Sequence, residues 1–244
     1  MRNLIPLVTF LISILTFCHD LKAQHPALPS SSIHKDSLVQ LYNNKFYNEL
    51  EYINGREYKP YHYPTNETPY LHSKPGTGTI YIDGDEYPKK KLLYDIYKDL
   101  LVVNPEHYTL SNTYIQLAKS EVDSFTILFE NQAYTFISLK DNIIKPGIKA
   151  GYYEQIYYSE QTSLLIRHFA RRGVDNALPT YSYNTDRYLL KNGRYFNVTS
   201  KKKLLSLFPD DKKQLKKKIK SINLSYKKMS NIQLSQLLQF IDTL

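Results

Sequence analysis

Between residues 79 and 198 the chain alternates short runs of aromatic and β-branched residues with residues that reverse a backbone. Thr79-Ile80-Tyr81-Ile82 meets Asp83-Gly84 and continues into Glu86-Tyr87. Residues 92–97 reach Lys98-Asp99 and return as 100–103, and residues 124–129 turn near Asn131 into 134–137. Residues 152–158 turn near Glu160 into 164–166, and residues 187–190 turn at Asn192-Gly193 into 195–198. Asn-Gly and Asp-Gly supply the two positive-φ positions of a type I′ turn, whose twist matches the strands on either side. The spacing leaves no room for the helical crossovers of a parallel sheet. It predicts an antiparallel β meander, a curled sheet or open barrel.

Upstream, Asn54-Gly55 separates residues 49–53 from Arg56-Glu57-Tyr58 and reads as one more hairpin. Pro60, Pro64, Pro69 and Pro75 keep residues 59–77 out of any central strand. Leu38, Leu41, Tyr42 and Phe46 have the spacing of one short helix, preceded by a leader over residues 25–34. The first residues are of another kind. Arg2 precedes a mostly apolar run over residues 4–17, too short for a stable membrane span and of the form of a secretory signal. Cleavage is expected after Ala23 or Gln24. Acylation of Cys18 is the rival, but bulky Phe17 stands where a small residue is required before a lipidated cysteine. Loss of residues 1–24 leaves a chain without cysteine, with 30 basic and 22 acidic residues. Such a chain depends on an ordinary packed core. No second apolar stretch is long enough to span a bilayer as a helix.

The last 46 residues, 199–244, carry 11 Lys against Asp210, Asp211 and Asp242, whereas residues 25–198 are balanced in charge. Thr199 or Ser200 can cap a short helix that Pro209 stops, and Asp210-Asp211 opens a second with Leu215, Ile219 and Ile222 on one face. Ser230 to Gln233 has the form of a capping box ahead of a stripe of Leu234, Leu237, Leu238, Ile241 and Leu244. The fold class expected is therefore α+β: a signal peptide at 1–24, a leader with short helix and hairpin at 25–77, an antiparallel β domain at 78–198, and a Lys-rich helical segment at 199–244 docked on the sheet.

Several stretches together resemble a family of uncharacterised exported β-rich envelope proteins of Gram-negative bacteria. They are Tyr52 through Tyr58, Gly78 through Tyr87, Leu92 through Asp99, Val122 through Phe125, Gly151 through Glu154, and the Lys-rich tail. The resemblance covers most of the chain after residue 24. It implies architecture and a periplasmic location, or the periplasmic face of an outer membrane, and it implies no activity.

Chemistry is sparse. No nucleophile elbow, phosphate-binding glycine loop or dinucleotide fingerprint occurs, and no histidine pair has zinc spacing. No cofactor is expected. Asp83, Asp85 and Glu86 lack the partners of a calcium loop and read as a solvated turn. Asp95 and Asp99, a conceivable acid-base pair, read as turn residues. His168, beside Arg167, Arg171 and Arg172, reads as an exposed strand-edge position. Two surfaces remain. Lys212, Lys213, Lys216, Lys217, Lys218 and Lys220 form a basic face for an anionic lipid or glycan surface; export makes nucleic acid an unsuitable partner. Tyr152, Tyr153, Tyr157 and Tyr158 are candidate aromatic ligand contacts, with one ring of each adjacent pair expected to face outward. The function expected is a non-catalytic envelope binding or accessory protein. The alternatives are an envelope hydrolase built around scattered carboxylates and His168, or a structural subunit of an outer-membrane complex.

Overall fold

A computed structural model describes residues 55–61, 68–105, 113–222 and 225–244. The expected signal peptide, leader and first helix, and the first arm of the Asn54-Gly55 hairpin, lie outside the described residues. The strands are β1 (Arg56–Tyr58), β2 (Gly76–Ile82), β3 (Asp85–Asp95), β4 (Leu100–Asn104), β5 (Tyr114–Gln116) and β6 (Val122–Phe129). They continue as β7 (Gln132–Leu139), β8 (Gly151–Tyr158), β9 (Ser163–Asp175), β10 (Leu178–Lys191) and β11 (Arg194–Asn197). All join one antiparallel sheet in the order β1-β5-β4-β3-β2-β6-β7-β8-β9-β10-β11. The meander is thus two meanders, β2 to β5 and β6 to β11, sharing a seam where β2 pairs with β6.

The turns follow the chemistry of their residues. Asp83 and Gly84 have φ of 51° and 89°, and Asn192 and Gly193 have 49° and 72°, the left-handed pairs a type I′ hairpin needs. Glu130 and Asn131 do the same between β6 and β7, at 47° and 64°. The described half of the Asn54-Gly55 region, β1, pairs with β5.

The sheet curls without closing. In strand order β3 and β9 are separated by four strands, yet the Ala170 amide donates to the Ile96 carbonyl at 3.2 Å. Inside the curl, Tyr94, Phe125, Phe136 and Tyr152 pack with Ile80, Leu92 and Leu101 into one core. Phe125 stacks on Phe136 with ring centroids 4.8 Å apart, and Tyr94 meets both rings edge-on. On the opposite face of β8 to β11, Tyr153, Leu165, Leu190 and Tyr195 pack with Ile148.

The tail forms α1 (Lys201–Ser206), α2 (Lys212–Ser221) and α3 (Asn231–Ile241), with a 3-10 turn at Tyr226–Lys228. Ser200 caps α1 by accepting from the Lys203 amide, and the capping box of Ser230 and Gln233 is complete at α3. Leu215, Ile219, Leu234, Leu237, Leu238 and Ile241 are buried against Leu164, Ile166, Leu189 and Val198 of the sheet and its exit. Each such side chain is worth roughly 1.5–3 kcal/mol relative to exposure, which fixes the helices on the sheet. No helix among the described residues is long and apolar enough to cross a membrane.

Candidate functional site

Docking of α2 by Leu215 and Ile219 turns Lys212, Lys213, Lys216, Lys217 and Lys220 outward, where all are exposed. Lys218 is half-buried, with its ammonium 5.5 Å from the centre of the Phe240 ring. Two of these lysines, Lys216 and Lys220, border a cleft of about 670 Å³. Lys201 of α1 and Lys227 of the 3-10 turn complete it, with the hydroxyl residues Ser200 and Ser225. No acidic side chain is among its lining residues. Arg187 of β10 anchors this wall. Its side chain is buried, and its guanidinium donates to the carbonyls of Tyr226 at 2.6 Å and Lys227 at 3.3 Å. Lysine spacing along one helix reveals Lys216 and Lys220. Lys201, Lys227 and the Arg187 anchor come from other segments, and only the packing of the tail brings them in.

Of the two tyrosine pairs named from the sequence, Tyr157-Tyr158 turns one ring outward as expected and Tyr152-Tyr153 does not. Alternation does send Tyr152 and Tyr153 to opposite faces, but both are covered, at 1% and 0% exposure. The curl closes over Tyr152, and the segment holding Ile148 packs with β11 over Tyr153. Neither ring is open to a ligand. Tyr157 is half-buried and donates its hydroxyl to Asp242 at 2.7 Å, tying β8 to the end of α3. Tyr158 is 71% exposed and isolated from the other three.

The aromatic surface that does open to solvent lies elsewhere. A cleft of about 600 Å³ is lined by Tyr70, His72, Tyr134, Tyr181 and Tyr183. Thr68 and Ser182 add hydroxyl groups, and the lining includes no lysine, arginine or carboxylate. His72 stacks face to face on Phe129 at 3.9 Å and meets Tyr134 at 4.9 Å. Burial pulls the His72 imidazole below its ordinary value, so the ring is neutral at pH 7. Its Nε2 is buried without a hydrogen-bond partner.

Behind this cleft stands the histidine expected to be exposed. His168 is 5% exposed, because the curl places β9 against Phe136 and Glu154 of the neighbouring strands. Strand register brings its partners together. Glu154 pairs across from Ile166, two residues before His168, and Tyr183 pairs across from Ala170, two residues after. The Tyr183 hydroxyl lies 2.6 Å from His168 Nδ1, and Nε2 lies 2.8 Å from Glu154. Asn231, in the first turn of α3, donates to the other Glu154 oxygen at 2.7 Å. A carboxylate only accepts, so Nε2 carries the hydrogen given to Glu154, and Nδ1 shares a hydrogen bond with the Tyr183 hydroxyl. The Tyr183 ring is 55% exposed while its hydroxyl points inward to a buried partner. Burial, then the negative charge of Glu154, pushes its phenol well above the ordinary value. The hydroxyl therefore stays protonated. The chain of bonds from Glu154 through His168 holds the Tyr183 ring in place.

Asp95 and Asp99 bind separate partners. Asp95 accepts from the hydroxyls of Tyr58 and Tyr61, whereas Asp99 accepts from Tyr94 at 2.7 Å and pairs with Lys119. Among the described residues no group of three or more His, Cys, Asp or Glu could hold a metal ion. Three comparisons, with protein-family models, curated proteins and solved structures, return no match to this chain.

Proposed function

We propose that the protein is an exported, non-catalytic envelope binding protein whose lysine-rich tail engages a phosphate-bearing anionic lipid surface. The observation that carries this is the cleft of Lys201, Lys216, Lys220 and Lys227, four ammonium groups with no acidic lining residue. Like charges gathered on a rigid wall repel one another, and an anion seated among them relieves that repulsion. Each lysine near an anionic surface contributes about 1 kcal/mol, screened beyond a Debye length of about 10 Å at 0.1 M salt. The apolar run over residues 4–17 supports export and places such a surface within reach.

The hydrolase alternative would rest on Tyr183, His168 and Glu154. A hydroxyl nucleophile needs a base beside it and an oxygen that faces the substrate. Here the Tyr183 hydroxyl turns inward to the buried His168, with Glu154 behind it, and the side open to the cleft is the ring. The arrangement favours a fixed ring over a reactive one.

The test is flotation of the purified protein with vesicles of anionic phospholipid, against vesicles of zwitterionic lipid alone. The parent protein is expected to bind the anionic vesicles and to be released by salt. The triple variant Lys216→Gln, Lys220→Gln, Lys227→Gln is expected to bind about a hundredfold more weakly, with a flatter salt dependence and an unchanged melting temperature. Equal binding to both vesicle types, or a triple variant that binds as the parent does, defeats the reading.

A further inference from the structure

We propose that the cleft between Tyr70, Tyr134, Tyr181 and Tyr183 is a binding site for an uncharged oligosaccharide, with Tyr183 held as a sugar platform by His168 and Glu154. This site is separate from the lysine cleft and does not depend on it.

The lining selects the ligand class. About 600 Å³ falls within the usual size of small-molecule sites. Tyr70, Tyr134 and Tyr183 present ring surface that matches the C–H face of a pyranose, above the buried Tyr181. Thr68 and Ser182 add further hydroxyl groups. No lining side chain carries a formal charge, since His72 is held neutral by burial. A nucleotide, a phosphorylated lipid or a free amino acid would enter without a counter-charge. A neutral polyhydroxyl ligand would not need one.

Two details fit a built site. An exposed tyrosine normally swings between rotamers, and fixing it costs entropy on binding. Here the Tyr183 hydroxyl is tied at 2.6 Å to His168, which Glu154 and Asn231 hold in turn, so the ring is fixed before a ligand arrives. Tyr181 forms the buried floor, packed edge-on against Tyr97 at 5.3 Å and tilted against Tyr61 at 5.8 Å. The second detail is His72, a lining residue whose buried Nε2 has no hydrogen-bond partner. Its ring lies flat on Phe129 and edge-on to Tyr134, which holds Tyr134 beside the cleft before a ligand arrives.

The experiment is titration calorimetry of the purified protein with neutral hexasaccharides of glucose, mannose, galactose and N-acetylglucosamine. At least one is expected to bind with a submillimolar Kd that salt does not change. Tyr134→Ala and Tyr183→Ala should each weaken that binding about tenfold or more. Tyr183→Phe keeps the ring and loses the tie to His168, so it should weaken binding by a smaller factor. Tyr134 is partly and Tyr183 largely exposed, so all three variants should still melt cooperatively, which confirms that they fold, the two Tyr183 variants a few degrees lower because buried His168 loses a partner. The lysine triple variant should bind the sugar as the parent does, which separates this site from the anionic one. Absence of binding to all four sugars at millimolar concentration overturns the proposal, as does parental affinity in both alanine variants. Release of new reducing ends from a bound sugar would overturn it too, by making the cleft catalytic.

Discussion

Asp95 closes β3 with no exposed surface, and four donors converge on its two oxygens. Tyr58 and Tyr61 donate their hydroxyls to Oδ2 at 2.8 and 3.0 Å, while the Tyr97 and Lys98 amides donate to Oδ1 at 3.0 and 2.9 Å. The Lys98 ammonium adds positive charge 4.8 Å from the centre of the Tyr61 ring. A carboxylate buried this way ties the turn after β3 to two tyrosines from the other end of the described chain. Its removal leaves hydroxyls and amides without an acceptor, and hydrogen bonds to a charged group are worth about 1.5–3 kcal/mol each. Asp95→Ala is therefore expected to destabilise the protein by about 3–5 kcal/mol in urea unfolding. Asp95→Asn, which keeps one acceptor oxygen, should cost less. An alanine variant with the parent midpoint would show that the cluster holds nothing together.

The β9-β10 hairpin is the longest pair in the sheet, and its tip is Asn176-Ala177 with φ of 48° and 65°. Ala177 therefore sits where a Cβ is strained and glycine is at ease. Ala177→Gly should raise stability by about 0.5–1 kcal/mol despite the added freedom of the unfolded chain, read as a higher denaturant midpoint. This hairpin also shows where sequence reading stops. Asp83-Gly84 and Asn192-Gly193 announce their turns, because glycine at positive φ has a local chemical reason. Asn-Ala announces nothing, and the exposed arms around Arg171, Arg172 and Asp175 lack apolar alternation. The helical tail was legible for the opposite reason: its caps and its stripe of Leu234, Leu237, Leu238 and Ile241 are local patterns that packing then uses. The aromatic cleft was not legible. Tyr183 and His168 meet across a strand pair, Glu154 comes from a third strand and Asn231 from a helix. Only register and curl bring them together.

At the scale of the whole molecule, both faces of the sheet bury tyrosines, Tyr94 and Tyr152 inside the curl and Tyr58, Tyr153 and Tyr226 in the clusters around it. Tyr94, Tyr152 and Tyr153 are essentially unexposed, and Tyr58 and Tyr226 nearly so. Burial is the first cause that raises the phenols of all five above the ordinary value of 10.0: Tyr153 and Tyr226 reach about 12, Tyr58 and Tyr152 lie higher still, and Tyr94 is raised well above the ordinary value. The sign of the pH dependence follows. An unfolded tyrosine loses its proton near pH 10, whereas the folded one keeps it, so above pH 10 the folded state binds more protons and stability falls as pH rises. Below pH 10 neither form ionises and the contribution is whole. For Tyr153 and Tyr226 the loss spans pH 10 to about 12. Each tyrosine removes about 1.4 kcal/mol per pH unit, so five together remove about 7 kcal/mol per unit, comparable with the 5–15 kcal/mol that holds a typical domain folded. The protein is expected to unfold cooperatively between about pH 11 and 12. Tyrosinate absorbance from the buried rings should then appear together with the loss of the β-sheet circular dichroism signal. If the buried phenols titrate smoothly near pH 10 while the sheet signal persists, the rings are wet and the curl is looser than the contact of Ala170 with Ile96 implies.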